Sequence, residues 1–292
     1  MLCVAMEAPL SVTKLTWSWL GILLICVVVG FMSLQQKSAI HDYYDTQFEL
    51  EEEITSKPHV IIIVADDLGW NSMGYNSDIM EFATPFLTYL GKSGIMLNNF
   101  YSQEVCSPAR ASLLTGRYPV SLGMQYRMVS STMEWGLPLD ETTMADILND
   151  NGYATHALGK WHLGYFSPLY LPTARGFDTF TGFLNGETHY FSKMNSDYPT
   201  FTDMIQSNKT CYSPYQRDDM HEYSTLLYKN RTMEIINQHD PSVHSLFLFI
   251  AFQAVHGPFI EAGDNKYMNG LPDEYIPDDV LKNIHSSVIV RD

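Results

Sequence analysis

The sequence predicts an α/β sandwich built on a mostly parallel central sheet, and three observations carry that expectation. A β-branched run, HVIIIVA at residues 59–65, has the apolar density of a strand covered on both faces. Strand-like and helix-like segments alternate after it, as they do where helices cross over between parallel strands. The polar residues able to do chemistry follow the strand-like segments, where an open parallel sheet gathers its loops into a crevice.

The strand-like segments are residues 59–65, 94–101, 153–158 and 245–252 (SLFLFIAF). Helical apolar spacing is found at 84–93, 108–114, 142–151 and 224–238. Asp66 and Asp67 follow the first strand, Cys106 comes after the second, Lys160 and His162 follow the third, and His256 follows the fourth. The folded domain is expected over 58–292. Ahead of it lie a short segment at 1–14, an apolar stretch at 15–36 and an acidic, polar stalk at 37–57.

No charged residue falls between Lys14 and Lys37, and the apolar run is about the ~20 residues that cross a bilayer. A transmembrane signal anchor over 15–36 is expected, with a cleaved signal peptide as the alternative. Either one sends the chain into the lumen of the secretory pathway, membrane-anchored or secreted, with the lysosome a compatible destination. The sequons Asn208-Lys209-Thr210 and Asn230-Arg231-Thr232 suit glycosylation there. With 17 basic against 33 acidic side chains, a formal charge of -16, and no Lys/Arg-rich run, nucleic acid is excluded as a partner. Four cysteines, of which Cys3 and Cys26 precede the folded part, make no disulfide framework. A Cys106–Cys211 pair is the alternative to any chemical role for Cys106.

Two adjacent carboxylates at the end of a buried strand, Asp66 and Asp67, repel each other unless a cation neutralises them. Hard oxygens of this kind select Ca2+ or Mg2+, although an Asp here also suits a helix N-cap. In CSPARASLLTGR, residues 106–117, Pro108 and the apolar Ala111, Leu113 and Leu114 start a helix directly after the cysteine. The Cys106 side chain then sits at the positive end of the helix dipole, and Arg110, one turn in, can hold an oxyanion. Lys160 and His162, two apart on an extended segment, are expected to face one ligand together. His256 has the ordinary pKa of a proton donor near neutral pH. His59, His156, His189, His221, His244 and His285 have no such context and are expected to be structural or surface groups.

The segment 106–117 resembles the C-x-P-x-R signature of the type I, formylglycine-dependent sulfatases, continued to L-T-G-R. GKWHLG at 159–164 and AVHGPF at 254–259 resemble that family's second signature and its V-H-x-P histidine. ADDLGWNSMGY at 65–75 and RGFDTFTGFLNGETHY at 175–190 extend the likeness, which looks strongest to the arylsulfatase B group. The resemblance implies an alkaline-phosphatase-like fold and oxidation of Cys106 to formylglycine by the formylglycine-generating enzyme. It also implies one Ca2+ held by Asp66, Asp67 and the modified Cys106. Lys160 and His256 are implied to bind sulfate, with Arg110 offsetting charge, His162 acting as base and His256 protonating the leaving alcohol. Implied substrates are sulfated glycans such as N-acetylgalactosamine 4-sulfate, or aryl sulfates.

The family completes its calcium site with an Asp-Asn pair and a second lysine well beyond the V-H-x-P histidine. Asp150-Asn151 and Asp264-Asn265 stand in the wrong places for that pair. Residues 58–292 are therefore expected to be a truncated N-terminal portion of a sulfatase domain, inert by itself. A membrane-anchored pseudoenzyme or glycan-binding protein, and a phosphoesterase of the same superfamily, are the competing readings.

Overall fold

The computed structural model describes residues 57–258, apart from 78–79 and 81–82. The expected anchor, nearly all of the stalk, His285 and Asp264-Asn265 lie outside the described residues. Among those described, no helix is long and apolar enough to cross a membrane.

Six strands form one sheet: β1 (Val60–Val64), β2 (Tyr153–Lys160), β3 (Thr179–Phe183), β4 (Ile205–Asn208), β5 (Tyr212–Pro214) and β6 (Ser245–Ala251), in the order β1-β6-β2-β3-β4-β5. The first four in that order run parallel, and β4 and β5 close the edge as an antiparallel hairpin. Among the described residues four α-helices accompany them: α1 (Pro85–Ser93), α2 (Cys106–Thr115), α3 (Met144–Asp150) and α4 (Ser224–Gln238).

The continuous apolar run of β6 is explained by its position. Phe247, Phe249 and Ala251 point into one core with Trp161, Phe177 and residues of α2 and α3, while Leu246, Leu248 and Ile250 point into a second core with Leu227 and Tyr228 of α4. A strand alternates its side chains between faces, so only a strand buried on both sides needs apolar residues throughout. Each such side chain contributes about 1.5–3 kcal/mol when fully buried.

Two strand expectations are corrected. β1 is an edge strand paired with β6, and Ile61 and Ile63 are more than half exposed, so among the described residues it is covered on one face only. Residues 94–101 pair with nothing and form no strand. Ile95, Leu97, Phe100 and Tyr101 are all exposed there, so apolar composition without a strand partner did not suffice. The three strands β3, β4 and β5 were not foreseen: TFTGF, IQSN and YSP are short and largely polar, without the apolar run or alternation that marks a strand.

The carboxyl ends of the parallel strands are level. Val64 of β1 and Gly159 of β2 both align with Ala251 of β6. A Cβ on Gly159 would lie 1.9 Å from the Ala251 carbonyl oxygen, so only glycine allows this close approach. The residues that follow these three strands therefore emerge side by side.

Candidate active site

Backbone hydrogen bonds stitch the loops after β1 and β6 together. The Asp66 N–H donates to the Ala254 carbonyl at 2.9 Å and the Val255 N–H to the Asp66 carbonyl at 2.8 Å. Asp66 itself is 5% exposed. The Lys160 ammonium, at the end of β2, donates to its carboxylate at 2.6 Å, and the Arg110 guanidinium at 3.2 Å. Burial alone would raise the Asp66 pKa, but these two cations outweigh it and hold the carboxyl below its usual range.

Cys106 is the first residue of α2, where unpaired backbone N–H groups and the helix dipole favour negative charge. Its sulfur lies 3.2 Å from Lys160 Nζ and 3.8 Å from the Asp66 carboxylate. Burial pushes the thiol up, yet the hydrogen bond with His256 and the Lys160 charge bring it below the ordinary value. Arg110, buried one turn later, also donates to the Lys160 carbonyl at 3.0 Å and so locks α2 to the end of β2. Gly116 ends the helix in the left-handed conformation, at φ 68°.

His256 stands at the mouth. Its hydrogen bond with Cys106 lifts its pKa to about 9, against the opposing effects of burial and Lys160. Carboxylates flank the ring, Asp67 3.6 Å from Nε2 and Glu187 3.8 Å from Nδ1. The Tyr190 hydroxyl, wholly buried, donates to the His256 carbonyl at 2.6 Å. Glu187 and Tyr190 lie in the 175–190 stretch but were not singled out, because neither carries a signature of its own.

Asp66, Cys106, Arg110, Lys160 and His256 thus converge from four segments. Asp67 and His162 are placed differently from expectation. The Asp67 side chain is 63% exposed, on a residue with φ 57°, and it approaches His256 rather than the buried cluster. His162 takes a left-handed conformation, φ 58°, so the strand alternation that should aim it alongside Lys160 ends before it. Its Nε2 bonds the Val129 carbonyl at 2.8 Å, and its Nδ1 is buried without a partner. Burial first, then the Lys160 charge, pushes its pKa down to about 3, which leaves it a weak base.

The other expectations fall as follows. Cys106 and Cys211 are both free thiols, so the pairing alternative does not form. Asn208 ends β4 and Asn230 lies on α4, both exposed. His59 Nδ1 accepts from the Leu246 N–H, His156 bonds the Thr179 hydroxyl and His244 the Gly152 carbonyl, all away from the cluster.

One ligand atom each from Asp66, Cys106 and His256 lie within 4.8 Å of one another, the spacing of a cation site. A thiol and an imidazole are soft donors that calcium does not favour. With oxygen in place of sulfur at position 106 the set would be harder and closer to what calcium takes, with Asp66 its one carboxylate and Asp67 outside it.

Residues 58–279 match the family model described as Sulfatase. The chain is 34% identical to arylsulfatase J of Mus musculus over 264 residues, covering 85% of this chain and 43% of that protein. It is 30% identical to arylsulfatase G of Rattus norvegicus over 264 residues, covering 83% and 48%. The crystal structure of Ps i-CgsB in complex with k-i-k-neocarrahexaose is similar in fold, with a TM-score of 0.66 and 29% identity over 80% of this chain and 52% of that one. The chain thus spans about half the length of the relatives it matches. Its mostly parallel sheet is that of the alkaline-phosphatase-like superfamily to which these neighbours belong. A family match that runs through every strand and through all five converging side chains carries one conclusion: this chain belongs to the sulfatase family, whose members are sulfuric ester hydrolases.

Proposed function

We propose that the converging site hydrolyses sulfate esters, with position 106 bearing the nucleophile. The observation that carries this is the meeting of Lys160, Asp66 and Cys106 within 3.8 Å, with Arg110 and His256 alongside. Asp66 and the side chain at 106 would hold calcium, which supplies Lewis-acid polarisation of a sulfate oxygen. Oxidised to formylglycine, position 106 supplies a hydroxyl of the hydrated aldehyde as the attacking group. Lys160 and Arg110 bring two positive charges to a buried place, where they offset charge on sulfate oxygens far better than they would in water. His256, at the mouth beside position 106, is placed to deliver a proton to the departing oxygen. His162, with its pKa lowered to about 3, stays neutral at the pH of the reaction.

The substrate class is proposed as sulfated sugars, N-acetylgalactosamine 4-sulfate among them, with aryl sulfates as artificial substrates. Similarity to arylsulfatases supports this, as does the sugar named with one solved relative. A lumenal location is proposed from the apolar segment at 15–34 and the two sequons.

The test is hydrolysis of nitrophenyl sulfate by protein matured in a secreting cell, as residues 58–292 and in a form extended to the length of the relatives. Asp66 and position 106 supply fewer than the roughly six to eight oxygens calcium takes, so turnover is expected in the extended form only. Cys106→Ala should abolish it. Turnover surviving that substitution overturns the nucleophile assignment, and equal activity in both forms would show the site complete within 58–292.

A further inference from the structure

Away from the site, α4 and the strands β2 to β5 border an open cavity of about 610 Å³. That is within the roughly 300–1,000 Å³ of small-ligand sites. Its lining is rich in hydroxyls and amides, among them Thr179, Thr181, Gln206, Ser213 and Gln238, with Ile235 adding an apolar patch and Asp240 a carboxylate. Arg231 also lines it, with a buried Nε that has no acceptor among the described residues.

Asn208 stands on the rim. It opens the turn between β4 and β5, and its Oδ1 is fully used within that turn, accepting from the Thr210 N–H, the Thr210 hydroxyl and the Cys211 N–H, each at 2.9 Å. The amide is fixed as a result, and its Nδ2 makes no hydrogen bond among the described residues. Two positions from Gln206 on one strand, Asn208 projects to the same face, the face of the cavity. Lys209 pins the turn from the other side, bonding Asn149 at 2.9 Å and Asp178 at 2.7 Å.

We propose that the cavity is the seat of the chain's own glycan: the N-acetylglucosamine attached to Asn208 Nδ2 folds back into it. The sugar's hydroxyls match the hydroxyl and amide lining, its acetamido carbonyl is the kind of acceptor Arg231 Nε lacks, and its carbon face matches Ile235. Attachment to a fixed asparagine removes most of the entropy cost of binding, so weak contacts suffice. The inference rests on the lumenal reading, and Asn230 separates the two. That asparagine is exposed, donates to the Glu222 carboxylate at 3.2 Å and is not part of the cavity wall.

The experiment is glycopeptide mass spectrometry of the full chain from a mammalian secreting cell, with timed endoglycosidase release from the native protein. A sugar core held in the cavity is shielded from enzymes. Glycans at Asn208 should therefore remain oligomannose and be released several-fold more slowly than those at Asn230. Filling the cavity with Gln238→Trp, or with Ser213→Tyr if that variant is unstable, should make Asn208 glycans processed and quickly released while Asn230 stays as it was. Equal processing and release at both sites in the native protein overturns the inference, as does an Asn208 glycan indifferent to both substitutions or an unmodified Asn208 beside a glycosylated Asn230. Absence of glycan from both overturns the lumenal reading and the inference with it.

Discussion

The Lys160 ammonium lies 2.6 Å from the Asp66 carboxylate, although 94 residues separate the two in sequence. Both are almost fully buried, so each is the other's means of remaining charged away from water. The level ends of β1 and β2 make the meeting unavoidable once the sheet has formed.

Breaking that pair should be costly. Lys160→Met keeps the apolar stem and removes the charge, leaving Asp66 with Arg110 alone. A loss of about 3 kcal/mol is expected, the low end of the range for a broken buried pair. Urea unfolding of the two proteins measures it, and a change under half a kcal/mol would show that the pair adds nothing to the fold.

His162 should make stability depend on pH below neutrality. Its folded pKa is about 3 against 6.5 for the unfolded chain, so as pH falls from 6.5 the unfolded state takes up the proton first. The stability it contributes is complete above pH 6.5 and drains away down to about pH 3, by about 1.4 kcal/mol per pH unit. His162→Gln, which can still donate to the Val129 carbonyl, should flatten the urea midpoint between pH 6.5 and 4.5. Parallel profiles for the two proteins would contradict the assignment.

The proton on His256 depends first on Cys106. In Cys106→Ala that hydrogen bond is gone, so the imidazole should titrate well below about 9, towards the ordinary histidine value. Histidine side-chain NMR across pH 5 to 10 reads this directly. A group still titrating near 9 would assign the shift to the carboxylates Asp67 and Glu187 instead.

Much of this site was legible in the sequence because chemistry and topology coincide in it. Asp66 and His256 stand past apolar strands, Lys160 closes β2, and Cys106 opens a helix whose start is marked by Pro108. The both-face burial of β6 could be read from SLFLFIAF for the same reason: no polar residue interrupts it. Conformation and pairing were not legible. The left-handed turn at His162 is invisible in GKWHLG, and it converts an expected base into a buried, neutral imidazole. Residues 94–101 look like a strand by composition, but pairing is a property of neighbours. Tyr190 holds His256 through a backbone carbonyl, which leaves no trace in either residue's type.

The central claim is that Cys106 is the position made into a nucleophile, and the mass of its own peptide tests this most directly. Protein recovered from a secreting cell should yield the peptide containing residues 106–110 with the Cys106 thiol replaced by the formylglycine aldehyde, trapped by an aldehyde-specific hydrazide. Recovery of the peptide solely as free thiol or disulfide would contradict the account.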